Sequence, residues 1–484
     1  MPAFSLEPSQ TARCAELRAL AAERLRPLAE KGEPGRVNRP LVAELGQLGL
    51  LELLFTSGAL DLCLMRESLA YACTEAETAL ALQGLGAHPV HAHGTPAQRE
   101  RWLPAVSDGT AVAAFALSEP GAGSDAAGLA LRAERGEWGE EAGARADGVG
   151  GSPGAESERA ESERAAAGGS PDPDASAARA ASGHVRSEAV SGDVRSEDVP
   201  GTESAVLPSA GASGARSRTG DPVAESDGSS RWRLTGEKCW ISNAPEADFY
   251  TVFARTTPGA GARGVTAFLV PADRPGLTGT PLDMLSPHPI GALAFDAVPV
   301  SADDVLGEVD RGFRVAMGTL NLFRPSVGAF AVGMAQAALD ATLGHTARRD
   351  AFGGKLRDLQ SVAHTVAEMA LRTDAARLMV YAAATAYDEG APDVPKRAAM
   401  AKLLATETAQ YVVDTAVQLH GARALQRGHL LEHLYREVRA PRIYEGASEV
   451  QRGIIAKELY AGLAALEAEG ADGADGAVTT REAS

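Results

Sequence analysis

The stretch "RIYEGASEVQ", residues 442–451, sets one carboxylate, Glu445, between a tyrosine and a glycine. A glutamate there has two physical uses. It can sit favourably at the positive end of a following helix. It can also act as a base toward a weak carbon acid, provided water is kept away, since an ordinary glutamate with a pKa of ~4.3 is too feeble. A second stretch, "LSEPGAGS" at residues 117–124, carries Gly121, Gly123 and Ser124 in near succession. Such small residues let backbone N–H groups converge on an anion, and Ser118 and Ser124 add hydroxyl donors.

Other patterns offer less. "GAGARG", Gly259 to Gly264, matches GxGxxG but lies between the strand-like runs "FYTVFART" and "GVTAFLV". No helix N-terminus is there for a pyrophosphate, so it reads as a hairpin turn. "GAGSDA", Gly121 to Ala126, fits the looser fingerprint ending in alanine, yet a strand follows it where a nicotinamide site needs a crossover helix. His88, His91 and His93 in "HPVHAHG" lack a companion cysteine or carboxylate pattern, so a loop between helices is expected and no metal. No Glu-x-x-His pair exists, which disfavours a di-iron bundle; a Gly-x-Ser-x-Gly match, "GGSPG" at residues 150–154, falls in low-complexity sequence without the apolar strand and helix of a nucleophile elbow, which disfavours an α/β-hydrolase. His288 in "SPHPIG" has no assignment.

The chain has 484 residues, 45% hydrophobic and 23% charged, enough for about three domains with a sizeable core. Its formal charge of −18 argues against a nucleic-acid partner. Cys14, Cys63, Cys73 and Cys239 form no CxxC pair, which suits a reducing, cytoplasmic setting. The start "MPAFSLEPSQTARC" has no basic region followed by an apolar run, and no 18 apolar residues are consecutive, so neither export nor a membrane span is expected.

Hydrophobic period divides the rest. Residues 1–111 show helical spacing in "LVAELGQLGLLELL" and "RESLAYACTEAETALALQGLG". Residues 112–308 give short β-type runs such as "VAAFALS", "CWISN" and "LAFDAVPV", bounded by Gly and Pro. Within them, Glu137 to Ser230 holds 18 acids, 8 arginines and a single leucine, with no Ile, Phe, Met, Tyr or Lys. Such a segment cannot bury enough apolar surface to offset the entropy of ordering, so a disordered insertion is expected, flanked by two neighbouring strands. Residues 309–463 return to long helices, and 464–484 read as a disordered acidic tail.

Taken together, "FALSEPGAGSDAAG", "GEKCWISN", "RRDAFGGKLRDLQ", "QLHGARA" and "RIYEGASEVQ" give a sequence that resembles the acyl-CoA dehydrogenase family, over essentially the whole chain except the insertion and tail. The resemblance implies an α+β fold: an N-terminal helical domain, a central antiparallel β-domain and a C-terminal four-helix bundle. It implies FAD as cofactor. Leu117 and Ser118 would bond the isoalloxazine, Gly123 would lie in the same loop, and Ser124 would reach phosphate or the CoA chain. Trp240 and Ser242 would cover the flavin near N5. Arg349, Phe352 and Gln360, with Gln418 and Gly421, would reach the FAD of another subunit in a homodimer or homotetramer. An arginine suits a pyrophosphate because its planar donors pair bidentately with the oxygens.

The resemblance makes Glu445 the base that takes the α-proton of an acyl-CoA thioester while the β-hydrogen leaves as hydride to flavin N5. Gly446 would let the backbone come close to substrate, and Arg324 would line the acyl-CoA channel. Some relatives carry the base on the residue before that arginine. Here it is Phe323, which cannot accept a proton. The implied product is a 2,3-unsaturated acyl-CoA, with an electron-transfer flavoprotein as acceptor; an oxidase or an idle flavin-binding relative are the alternatives on this scaffold. Three positions depart from the usual pattern: Ala447 replaces a threonine, Ala422 and Ala424 replace glycines, and Asn321 replaces an acid three residues before Arg324.

Overall fold

The computed structural model describes residues 6–136 and 231–478, with side chains as far as residue 463. The expected disordered insertion at 137–230 lies outside the described residues. Helices form where capping signals precede apolar-periodic runs. α1 (Pro8–Leu20) opens on a capping box between Glu7 and Gln10 and passes through a π-turn into α2 (Arg26–Ala29). Asn38 caps α3 (Arg39–Gln47) by accepting from the Leu41 N–H, and the short α4 (Leu53–Thr56) leads to α5 (Ala59–Ala72) and α6 (Thr74–His93). α7 (Pro96–Ser107) starts on a second capping box, Thr95 with Gln98, and has a proline at its first turn.

The strands build one eight-stranded sheet. They are β1 (Ala113–Ala116), β2 (Arg132–Arg135), β3 (Arg231–Ser242), β4 (Phe249–Arg255), β5 (Val265–Pro271), β6 (Leu277–Pro281), β7 (Ile290–Ser301) and β8 (Val305–Leu306). The order is β6-β7-β3-β2-β4-β5-β8, with β1 also beside β4. Pairing is antiparallel except that β1 and β2 run parallel to β4. β4 and β5 pair across Arg255↔Val265, so "GAGARG" does lie in the connection of a hairpin. β2 and β3, the strands on either side of the insertion, pair in register Ala133↔Leu234, and the Gly136 N–H donates to the Arg231 carbonyl at 3.3 Å.

The helical region after the sheet holds α8 (Gly312–Arg348), a small hairpin of β9 (Asp350–Ala351) and β10 (Gly354–Lys355), then α9 (Gln360–Asp388), α10 (Val394–His420), α11 (Leu430–Glu437) and α12 (Ser448–Val478). α8 packs on α5, α9 and α10, and α12 on α10. By length and composition α8 could cross a bilayer, with a mean hydropathy of 1.3 over 18 residues, but 72% of that window is buried against its neighbours, as befits a core helix. Close crossings need small residues: a Cβ on Gly333 would lie 2.4 Å from the Glu67 carbonyl, and one on Gly328 2.7 Å from Val380. Phe323 and Phe330 on α8 are buried in the same core, each contributing about 1.5–3 kcal/mol by removal from water.

The N-terminal helices meet the sheet through α6. Gly86 brings the helix against β1, since an added Cβ would stand 2.6 Å from the Ala114 nitrogen. The Gln83 side chain donates to the Ala111 carbonyl and accepts from the Ala113 N–H, both at 2.7 Å, completing backbone pairing that the strand cannot supply there. Two expectations change. His88, His91 and His93 belong to the last turns of α6, because Pro89 is accommodated within the helix. The final helix continues to Val478, past residue 463 where a disordered tail was expected; six alanines and two glutamates among residues 464–478 favour helix, against three glycines and two aspartates.

Because Gly136 and Arg231 are hydrogen-bonded neighbours, replacing residues 137–230 by an Asn-Gly turn is expected to leave a cooperatively folding protein with Tm within about 3 °C of the full chain. Circular dichroism melting of both proteins checks this, and an unfolded deletion product would show that the segment is needed for folding.

Candidate active site

Glu445 lies in the turn between α11 and α12, with left-handed backbone at φ 52, followed by Gly446 at φ 93. Its side chain is half-buried, and carboxylate oxygen Oε2 is buried with no hydrogen-bond partner among the described residues. Burial raises its pKa above the ordinary carboxylate range. Three cations oppose that rise: Arg66 of α5, Lys402 of α10 and Arg324 of α8. Arg324 is 5% exposed; its Nη1 donates to Asn321 Oδ1 at 3.1 Å, while its Nε is buried without a partner. Thus Asn321, which stands in place of the usual acid, still holds the arginine, though without neutralising it. Burial lowers the Arg324 pKa, and Glu445 counters part of that.

Arg66 is set by its own partners. Its Nε bonds the Glu77 carboxylate and its Nη1 donates to Ser326 Oγ at 2.6 Å, all in the interior. Desolvation pushes the Glu77 carboxyl up, with Arg66 pulling against it. His288, unassigned from sequence, bonds Glu437 Oε2 at 2.6 Å and lies 3.5 Å from Thr78 Oγ1. Burial disfavours its charge, but Glu437 outweighs that and raises its pKa. His288, Thr78 and Glu75 also line a cavity of about 120 Å³ between α6 and the segments 32–38 and 287–289, which Glu445 does not line.

A second group of the expected residues gathers in the β-domain. The segment Leu117 to Ser124 leaves β1 and is tied to β3 where the Cys239 N–H donates to the Ser118 carbonyl at 3.0 Å, next to Trp240. Lys238, fully buried, donates to the Leu117 carbonyl at 2.9 Å and to Glu119 Oε1 at 2.7 Å. Glu119 in turn accepts from the N–H groups of Ala130 and Leu131, so one ion pair closes the whole loop on itself. Burial brings the Lys238 pKa down to about 8 against the attraction of Glu119. Space around the loop is open, with no heavy atom within 4 Å of a Cβ built on Gly121 or Gly123. Trp240 has φ 57 and is 49% exposed despite its size. Accessible backbone donors beside a half-exposed indole fit a flat, polar-edged cofactor such as a flavin. Ser242 ends β3 on the same strand.

The third group occupies one end of the helical region. Arg349, Phe352 and Gln360 follow α8, and Gln418 and Gly421 close α10. The ends of these helices meet, since the rings of His345 and His420 stack at 4.1 Å between centroids. All five residues are exposed, Phe352 by 90%. An aromatic ring left this open at φ 52 in a two-residue turn buries little in its own chain.

Sequence profiles described as the acyl-CoA dehydrogenase N-terminal, middle and C-terminal domains match residues 7–110, 208–298 and 310–460, in the order that the fold shows. The chain belongs to the acyl-CoA dehydrogenase family. One relative is the probable acyl-CoA dehydrogenase FadE25 of Mycobacterium tuberculosis, 38% identical over 239 residues, which are 49% of this chain and 61% of that protein. The match therefore spans less than two thirds of that relative. Cyclohexane-1-carbonyl-CoA dehydrogenase of Geobacter metallireducens is 27% identical over 92% of this chain and 95% of its own. Among solved structures, butyryl-CoA dehydrogenase from Megasphaera elsdenii superposes with a TM-score of 0.71 at 26% identity, covering 94% of this chain and 99% of its own.

Within this acyl-CoA dehydrogenase fold, sequence reading did not single out Arg66, Glu77, Lys238, Glu119 or Lys402. A usable signal existed for two of them. Arg66 in "LCLMRESLAY" and Lys402 in "AAMAKLLATE" each interrupt an apolar run. Breaking a buried pair leaves an uncompensated charge, so Glu119→Leu and Lys238→Met are each expected to destabilise the protein by ~3–5 kcal/mol. Replacing both, with Glu119→Leu in the Lys238→Met background, should recover a large part of that. Urea unfolding of the four proteins gives the coupling, and additive single effects would show that the pair does not hold the loop.

Proposed function

We propose that this protein is a FAD-dependent acyl-CoA dehydrogenase in which Glu445 is the base, and the observation carrying that reading is its buried carboxylate oxygen among three cations. Chemistry at the α-carbon of a thioester needs a carboxylate that is less comfortable as an anion than one in water, yet still ionised when substrate arrives. Burial provides the first condition. Arg66, Lys402 and Arg324 provide the second. FAD, when bound, supplies the two-electron sink for the β-hydrogen, which leaves as hydride, so loss of proton and hydride gives a double bond between the α- and β-carbons.

Leu117, Ser118, Gly123 and Ser124 would hold that cofactor through backbone and hydroxyl donors, Trp240 and Ser242 would cover one face, and Ser124 would also meet the CoA chain. Arg324 would line the acyl channel, and Gly446 would keep the backbone bare beside the thioester. Arg349, Phe352, Gln360, Gln418 and Gly421 would reach the cofactor of a second copy in a homodimer or homotetramer. The exposure of Phe352 supports a role outside its own subunit. Electrons would pass to an electron-transfer flavoprotein.

Anaerobic titration with a panel of acyl-CoAs, following oxidised-flavin absorbance, tests the reading. Wild type should bleach with at least one thioester, and Glu445→Gln should keep FAD while bleaching slows by about 10²–10⁴-fold. Only the ionised carboxylate takes a proton. The wild-type rate should therefore rise with pH through the Glu445 pKa, at a limb above the ordinary carboxylate range. If wild type and variant both stay yellow with every thioester, the chain binds flavin without this chemistry.

A further inference from the structure

We propose that Lys402 is the positioning residue that aims Glu445; this rests on the reading of Glu445 as the base. The Lys402 side chain is fully buried on α10, and its Nζ donates to the carbonyls of Tyr444 at 3.0 Å and Gly446 at 2.7 Å. Those are the carbonyls on either side of Glu445. One ammonium thus brackets one residue, and among the described residues it makes no hydrogen bond to a carboxylate while doing so.

The backbone it brackets needs holding. A glutamate in the left-handed region costs about 1–2 kcal/mol and persists only where surroundings over-determine it. Here the determinants converge. Gln451 Nε2 donates to the carbonyls of Glu445 at 3.3 Å and Gly446 at 2.9 Å. Glu407, five residues along α10 from Lys402, fixes both ends of the turn, bonding Arg442 Nη2 at 2.8 Å and Ser448 Oγ at 2.6 Å. Gly446 suits this place because its φ of 93 is one that L side chains rarely adopt, and a Cβ there would also displace Gln451 Nε2, 2.4 Å away. α10 therefore holds the ends of the turn through Glu407 and its middle through Lys402, with Gln451 of α12 adding to the middle.

An apolar side chain at 402 would fill the same space at less expense, since a buried ammonium without a hydrogen-bonded counter-ion is costly. What the ammonium adds is direction for two carbonyls and a positive charge beside the Glu445 carboxylate. The charged groups facing it are Glu445 in the turn, Glu407 on its own helix, Glu449 on α12 and Arg324 on α8. A role limited to packing predicts no electrical effect on Glu445. A positioning role predicts one, because removing this cation removes one of the three groups that keep Glu445 ionised.

The test uses the full-length, FAD-loaded wild type with Lys402→Met and Lys402→Gln, the latter retaining one donor without charge in case the methionine variant does not fold. Three quantities are read: hydrogen–deuterium exchange of the 442–451 peptide, exchange of the α-protons of a bound acyl-CoA with D2O, and the pH dependence of flavin bleaching. Both variants should bind FAD and acyl-CoA with affinities within about 3-fold of wild type. Amide protection of the turn should fall about 10-fold, and α-proton exchange should slow about 10²-fold, as for a group misplaced by about 1 Å. The acid limb should move to higher pH. Unchanged turn protection with an unchanged limb overturns the proposal. If wild type exchanges no α-protons with any acyl-CoA, the base reading fails, and protection of the turn still decides whether Lys402 holds it.

Discussion

One carboxylate, Glu445, set in the interior among cations from three helices is the constraint around which the helical half of this molecule is arranged. Burial of Glu445 favours its protonated form, and the three nearby cations favour its ionised form. The protein sets the balance with Arg66, Lys402 and Arg324, and burial wins by enough to raise the pKa. Each unit of such a shift corresponds to about 1.4 kcal/mol between the two protonation states, so each cation is a coarse adjustment. The three come from α5, α10 and α8, and no two helices could supply them. Close crossing at Gly333 and Gly328 follows from that need, because α8 has to pack tightly on both α5 and its bundle neighbours.

Among the described residues, two of the three cations make no hydrogen bond to a carboxylate, and the third is shared. Arg66 bonds Glu77 and Ser326, so its charge is partly spent before it reaches Glu445. Glu77 and Glu445 therefore compete for one guanidinium, and both carboxyls are raised. His288 with Glu437 forms a separate pair near the same helix, α6, through Thr78. A buried pair of this kind adds little net stability, because desolvation offsets most of the attraction. Its physical effect is geometric: the His288 segment of the β-domain is tied to α11, the helix that precedes the Glu445 turn.

Much of this was legible in the sequence, for reasons that differ by residue. Helices and strands followed from period and punctuation: helical spacing in "RESLAYACTEAETALALQGLG" gives α5 and α6, and alternation in "LAFDAVPV" gives β7, paired with β3. The "YEG" and "LSEPGAGS" stretches stood out because few structural needs call for such side chains together. His88, His91 and His93 misled because Pro89 looks like punctuation, yet it continues α6 and is buried there. Lys402 and Lys238 stayed hidden for another reason. A lone lysine usually marks a solvated face; the apolar run around Lys402 hints at burial, but what identifies the role of both lysines is the carbonyl oxygens at the end of the amine, which belong to residues far away in sequence. Hydrogen bonding to distant backbone leaves no local pattern.

Those two lysines make the same use of charge in different halves of the fold, and the comparison separates holding from tuning. Lys238 has Glu119 as counter-ion, so the pair is locally neutral and the loop it closes sees little net field. Lys402 has no carboxylate in hydrogen-bond contact among the described residues, and its charge is felt by Glu445. If the purpose at both places were only to satisfy backbone carbonyls, a neutral donor or a rearranged turn would do so without the cost of burying an ammonium. The loop beside Trp240 needs rigidity and receives a neutralised clamp. The turn at Glu445 needs rigidity together with a field that favours an anion, and an unpaired ammonium supplies both from one side chain.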